Sequence, residues 1–349
     1  MNPDQTAVVF GDRFATDLVR MTRDPSEMKS GWWAVIQTFE GEFFGFQFAN
    51  NSELHANSFE SPNTESLEID FDKWLSNVNQ DEYQQGVETV RESIAAGWVY
   101  QINYCRILTQ KLPSQFDSLT AYQKLRKGNP APYACAFSIS RETSGLQFDI
   151  RIASASPELF LERKGKILKS SPIKGTAISA EAMLEKDSAE NIMIVDLIRN
   201  DLSHICLPGT VAVPEMLRVE EHPGLVHLVS DVVGELRDDV SWAEILQAMC
   251  PPGSVSGAPK SSSLQLINQI EPKAREVYCG VLGWIDIDNS TAQLSVAIRT
   301  FWQSFSETEP TLCFGTGAGI TYDSDPLGEW TETQLKAQHL LGVISTSLQ

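Results

Sequence analysis

Positive charge is scarce in this chain: 27 Lys and Arg face 46 Asp and Glu, for a formal net charge of −19. Such a field repels phosphate backbones and anionic bilayers, so nucleic acid and membrane surfaces are disfavoured as partners. It also repels small anionic substrates, so an anion site here needs placed cations or a metal to reverse the local sign. Long apolar runs are missing too. No window approaches the ~18 apolar residues of a membrane span, and the Met1–Gln5 start has neither a basic nor an apolar leader segment. Cysteine is thinly scattered: Cys105, Cys135, Cys206, Cys250, Cys279 and Cys313 form no C-x-x-C pair and no zinc spacing. They are expected as reduced core thiols of a cytoplasmic protein.

What is present is apolar surface. With 42% hydrophobic residues over 349 positions the chain can bury a large core, and no repeat, linker or shift of composition divides it. Aromatic stretches at Trp32–Ile36 and Phe43–Phe48 predict antiparallel strands, and the polar stretch Asn50–Ser66 predicts a long loop. From Asn79 the period becomes helical: Tyr83, Val87, Val90 and Ile94 share a stripe, Asn79 and Glu82 can form a capping box, and Gly97 can end the helix. Strands are expected at Val99–Leu108, Tyr133–Ser140, Phe148–Ser154, Leu159–Arg163, Val277–Asp286, Ala292–Trp302 and Thr311–Ile320. Helices are expected near Leu119–Lys127, Ser188–Leu202, Trp242–Met249 and Leu327–Ile344, with another opened by the turn Pro251–Pro259 and stopped by Pro272. Short connections between most strands favour antiparallel sheets with helices packed outside.

Against the acidic background one lysine stands out. Lys174, in Ser171-Pro-Ile-Lys-Gly-Thr176, is predicted on a short turn after strand-like Gly165–Ser170, where an amine can be desolvated into a nucleophile. The alternative is a solvated turn lysine. Ser156-Pro157-Glu158 puts a carboxyl at a bend before a strand, where burial can raise its pKa into general-acid range. Asp187 and Glu190 share one helical face, and Glu329, Glu332 and Lys336 share another; they are either cap and surface pairs or carboxylates for Mg²⁺. His227, in an apolar run, suits a core histidine better than a catalyst, while Arg299 is expected on a strand, inward-facing, for bidentate carboxylate binding. Gly253–Lys260 lacks the Walker spacing, and the G-x-G-x-G of Gly315–Gly319 opens no capped helix, so ATP and NAD are unlikely ligands. The amides of such glycine turns can still cradle a carboxylate.

Taken in order, these segments resemble the chorismate-utilising enzymes. The matching stretches are Ser156–Glu158, Pro172–Thr176, Glu190–Asp201, Pro252–Lys260, Tyr278–Gly283, Ala297–Arg299, Gly315–Asp325 and Glu332–Lys336, covering roughly Gln80 to the C-terminus. The resemblance implies one α+β domain over residues 1–349, with two large antiparallel sheets packed face to face, helices outside in α/β/β/α layers, and the site between the sheets. Residues 1–79 would be a shortened strand-rich part and 80–349 the catalytic core.

Gln101 stands where family members that hydrate chorismate carry a lysine base, so hydration is disfavoured. The P-I-K-G-T form around Lys174 is similar to component I of aminodeoxychorismate synthase, whereas anthranilate synthases usually have alanine there. The resemblance then makes Lys174 the nucleophile and Glu158 the acid, in a route to 4-amino-4-deoxychorismate for 4-aminobenzoate and folate. Thr176 and His227 contact the reacting region. Glu190 and Glu332 hold Mg²⁺, with Asp187 behind them. Gln101, Ser256, Tyr278, Arg299, Lys336 and the amides of Gly317, Ala318 and Gly319 bind the substrate. No stretch resembles a glutaminase, so ammonia is expected from solution or a separate glutamine amidotransferase subunit. Ser256 in place of the commoner threonine, and Ala177-Ile-Ser179 after Thr176, depart from the family pattern. Anthranilate synthase component I and a non-catalytic chorismate-binding subunit remain the alternatives.

Overall fold

The protein is described by a computed structural model over residues 6–53, 67–177, 185–222 and 225–345. The aromatic N-terminal stretches form the strands Trp32–Gln37 and Phe43–Glu53, preceded by Ala7–Phe10 and Arg13–Thr22. Trp32–Ile36 is buried without a break because both faces of its sheet are covered. Asn50–Glu53 prolong a strand rather than begin the expected loop, and the rest of that loop, 54–66, lies outside the described residues.

The helices are α1 (Gln80–Ala95), α2 (Ser118–Gly128), the single turn α3 (Arg141–Ser144), α4 (Glu185–Ser203), α5 (Trp242–Met249), α6 (Lys260–Ile270) and α7 (Pro326–Ser345). Helix α1 starts on the expected capping box, with Asn79 and Glu82 each accepting the other's backbone N–H. Four of the strands differ from expectation in a way that matters for the site. Val277–Gly280 is a turn, and the strand begins at Val281. The stretch Ala292–Trp302 is two strands, Thr291–Val296 and Thr300–Gln303, because Arg299 adopts a left-handed φ of 52° that a strand cannot continue through. Lys174 sits on a short strand, Ile173–Ala177, and not on a turn.

All strand pairings are antiparallel. Ala7–Phe10 pairs with both Arg13–Thr22 and Tyr133–Ile139, which joins the two expected sheets into one continuous 18-stranded ladder. Its halves still face each other. The main core takes Trp33, Phe44, Leu282 and Leu294 from one half and Cys105, Ile152, Trp302 and Cys313 from the other. The alternate residues Leu108, Ala153, Phe301, Leu312 and Phe314 turn the opposite way, against Leu125 of α2 and Leu340 of α7. On the first half, Ile194, Ile198 and Leu202 of α4 and Ile245 of α5 pack on the same main core. Residues before Gln80 belong to this ladder, with Trp32–Gln37 registered against Val281–Asp286.

Thr311–Ile320 pairs with Gln101–Lys111 along its whole length, so Gly315–Gly319 lies inside a strand and is not a turn. Its glycines share one face. A Cβ on Gly315 would lie 2.1 Å from the Tyr278 ring, one on Gly317 2.7 Å from the Cys105 sulfur, and one on Gly319 2.5 Å from the Gln101 amide. Gly315→Ala is therefore expected to destabilise by about 1–3 kcal/mol or more through overpacking. Gly342→Ala, in α7 with nothing within 4 Å of the added methyl, is expected to stabilise by up to about 1 kcal/mol through helix propensity. Urea unfolding of the two variants should give shifts of opposite sign.

Candidate functional site

Lys174 is placed by an irregularity. Ile173 pairs with Val229 and Thr176 with His227, and the shift of register between them leaves Lys174 and Gly175 in a bulge, with Gly175 at φ 80°. A bulge re-aims the side chain it carries. Here the Lys174 amine donates to the Ser254 carbonyl at 3.0 Å. The residue as a whole is half-buried, but its amine end is desolvated, which lowers its pKa below the ordinary lysine value. Glu190 and Glu158 pull it back up, Lys336 lowers it further, and Glu332 raises it. Charges from two helices, α4 and α7, and from the bend at Glu158 thus act on one amine.

Glu158 follows the strand Ile150–Ser156 and precedes Leu159–Lys164, at the expected bend. It is 4% exposed, and burial pushes its carboxyl up to about 7. A hydrogen bond from the Ser254 hydroxyl, the Lys174 charge and the Ile173 N–H oppose that shift without cancelling it. Ser254 therefore touches both titrating groups, its carbonyl the amine and its hydroxyl the carboxyl. It was not singled out in the sequence because a serine in a Gly/Ser/Pro turn carries no signal beyond turn chemistry. Lys260, at the end of the same turn, is held by Asp201 at 2.6 Å and by the Met249 carbonyl, a structural role consistent with the failed Walker spacing.

The opposite wall is the glycine face of Thr311–Ile320. Gln101, 2% exposed, donates its side-chain Nε2 to Glu190 at 2.9 Å beside Gly319, while its side-chain Oε1 finds no partner among the described residues. The Ser304 N–H donates to the Thr311 carbonyl, so odd-numbered residues of this strand direct their backbone groups toward Thr300–Gln303. That pairing reaches only Phe314, which leaves the Gly317 and Gly319 backbone on an open edge. Lys336 takes the Gly317 carbonyl at 3.2 Å and Glu332 at 2.6 Å. Ala318 points the other way, into the cluster with Tyr83 and Tyr104.

Arg299 is on a bend and not, as expected, on a strand. Its guanidinium is desolvated, which lowers its pKa, and no hydrogen bond or ion pair is described for it. Tyr278 is buried with its ring against Gly315. The Ser256 hydroxyl is spent on the Pro252 and Gly253 carbonyls, so in this arrangement it braces the turn. His227 is 2% exposed on the strand Leu225–Glu235, registered against Thr176. The side chains of Thr176 and Asp187 lie outside the described residues. Among the described residues no three His, Cys, Asp or Glu side chains gather as a metal cluster. Of the expected metal ligands, Glu190 and Glu332 lie among the described residues, engaged by Gln101 and Lys336 respectively.

A desolvated amine, a raised carboxyl, two further carboxylates and a desolvated guanidinium with no partner among the described residues suit a small anionic substrate that undergoes acid-assisted substitution. Comparison with known proteins places the chain in a family. Residues 46–342 match the model of the chorismate binding enzymes, reaching back well before Gln80. The chain is 36% identical over 276 residues to anthranilate synthase component 1 of Saccharolobus solfataricus, covering 75% of this chain and 62% of that one. It is 34% identical to aminodeoxychorismate synthase component 1 of Bacillus subtilis, covering 74% and 54%. The chain thus spans under two thirds of the length of these curated relatives. A crystal structure described as a putative 2,3-dihydroxybenzoate-specific isochorismate synthase, from Bacillus anthracis, superposes with a TM-score of 0.79 at 24% identity, covering 99% of this chain and 97% of that one. With a family match over most of its length and relatives split between two activities, the chain belongs to the chorismate binding enzymes.

Proposed function

We propose that the protein is an aminodeoxychorismate synthase component I, converting chorismate and ammonia to 4-amino-4-deoxychorismate. The observation that carries this reading is the Lys174 amine, desolvated in a bulge beside the raised carboxyl of Glu158. The unprotonated amine attacks C2 of chorismate, both ring double bonds shift by one position toward C4, and the C4 hydroxyl leaves as water with the proton of Glu158. Ammonia then attacks C4, both double bonds return to their original positions, and the Lys174 amine leaves from C2. Splitting one substitution into two steps is what a covalent nucleophile offers. Arg299 and the open-edge amides of Gly317 and Gly319 suit the enolpyruvyl carboxylate. Glu190 and Glu332 would hold Mg²⁺, with water and substrate oxygens filling the remaining positions. When bound, such an ion neutralises the ring carboxylate in an otherwise acidic protein. Ammonia would come from a separate glutamine amidotransferase subunit.

Anthranilate synthase is the second reading, favoured by relatives of that name at similar identity. The product separates them. Chorismate, Mg²⁺ and ammonium should give aminodeoxychorismate, convertible to 4-aminobenzoate only after a lyase is added; fluorescent anthranilate and pyruvate without a lyase would replace the proposal with the second reading.

Lys174→Ala is expected to bind chorismate as the wild type does and to turn over about 100-fold more slowly or worse. Intact mass measurement of wild type quenched without ammonia should show an adduct of chorismate less water, absent from the variant; equal turnover by both proteins would remove the covalent route. The acid must be protonated to act, and Glu158 gives up its proton near pH 7. Turnover should therefore fall as pH rises through about 7. Glu158→Gln should lose about 10²–10⁴-fold and also lose that alkaline limb, which a pH–kcat profile reads directly.

A further inference from the structure

Four hydrogen bonds converge on the guanidinium of Arg275, which is 1% exposed and takes no part in the chemistry above. Nε and Nη2 hold the two oxygens of Glu271 at 2.8 and 2.6 Å, Nη1 donates to the Val255 carbonyl at 2.8 Å, and Nη2 donates to the Asn103 carbonyl at 2.7 Å. Glu271 also accepts the Cys105 N–H at 2.9 Å. Outside, the guanidinium lies 4.1 Å over the Phe39 ring, at the inner wall of an outward-opening cavity of about 580 Å³.

The inner partners are what matter. Val255 adjoins Ser254, whose carbonyl holds Lys174 and whose hydroxyl binds Glu158. Asn103 and Cys105 lie on the strand that carries Gln101, and the Asn103 N–H closes the loop by donating to the Ser256 carbonyl. One ion pair therefore ties the turn behind both titrating groups to the strand behind Glu190. A buried pair of this kind is a poor source of stability, since apolar residues of equal volume often do as well. Its directional hydrogen bonds, by contrast, fix where carbonyls point.

We propose that Glu271 and Arg275 are a positioning pair that holds the Pro252–Ser256 turn so that Ser254 keeps the Lys174 amine and the Glu158 carboxyl in their reactive arrangement. The proposal rests on the roles given above to Lys174 and Glu158. Three variants test it: Arg275→Lys, Glu271→Gln, and Phe39→Leu, which alters only the outer packing. For each, kcat and KM with chorismate and ammonium are measured beside the thermal midpoint. The pH midpoint of Lys174 acetylation by acetic anhydride is read by peptide mass spectrometry, without need of turnover. Arg275→Lys and Glu271→Gln should lower kcat by about 100-fold, the scale of a 1 Å misplacement. KM should stay within about threefold, the mark of an interaction felt in the transition state. In both, the Lys174 midpoint should move upward as water reaches the amine. Phe39→Leu should lose thermal stability and keep kcat and the midpoint. If kcat follows thermal stability across all three, if the Lys174 midpoint does not rise in Arg275→Lys and Glu271→Gln, or if both of these fail to fold, the proposal is overturned. If the wild type itself does not turn over chorismate, the proposed chemistry fails while the acetylation midpoints still decide the pair's role.

Discussion

The site depends on burying an amine and a carboxyl side by side without letting them neutralise each other. Ionising Glu158 against a pKa near 7 rather than 4.5 costs about 3 kcal/mol, more than two hydrogen bonds return. Lys174 lies close enough to lower that cost but does not remove it, because its amine donates to the Ser254 carbonyl. Glu158 can then keep its proton close to neutral pH, and the Lys174 amine discharges more readily than an ordinary lysine. In a chain of net charge −19, the amine also needs Lys336 beside it, since Glu190, Glu158 and Glu332 together favour the charged form.

Much of the architecture follows from short connections and apolar patterning, and was legible for that reason. The capping box at Asn79 and Glu82, helix α5 at Trp242–Met249 and the strand Thr311–Ile320 all rest on local signals that tertiary context leaves intact. The departures have one kind of cause. The sequence places Lys174 on a turn, and groups Gly315–Gly319 with glycine turns although it falls inside an expected strand, because glycine punctuates turns more often than strands. In the fold the glycines at 315, 317 and 319 are set by period two, each leaving room for a neighbour from another element: the Tyr278 ring, the Cys105 sulfur, the Gln101 amide. No single stretch of sequence contains those neighbours. Arg299 is the same problem in backbone form, as the left-handed φ that splits its strand is visible only once the bend is built.

Site residues were legible as types and not as partners. An isolated Glu332 with Lys336 four residues later is an ordinary helical pair, and the structure does show them paired at 2.6 Å. What sequence spacing cannot supply is that this pair also lies within the field of Lys174, brought there because α7 packs on the strand carrying Gly317. Ser254, Glu271 and Arg275 were missed for a stronger reason. Their importance lies in backbone carbonyls they orient or offer, and a carbonyl is common to every residue.

The placement of these supports also explains how an 18-stranded ladder can carry a site at all. A continuous sheet satisfies its own backbone groups, so it offers a substrate nothing unless pairing is interrupted. Here it is interrupted three times around one volume. The bulge at Lys174–Gly175 frees one side chain, the bend at Arg299 ends the pairing of Thr300–Gln303, and the edge of Gly317 and Gly319 is thereby left open. Each interruption costs ladder hydrogen bonds. The cost is contained because one wall behind them, Gln101–Lys111, stays registered against Thr311–Ile320 without a shift. Irregular backbone thus lies where cations, carboxyls and amides must meet a ligand, and the regular pairing of Gln101–Lys111 with Thr311–Ile320 keeps it in place.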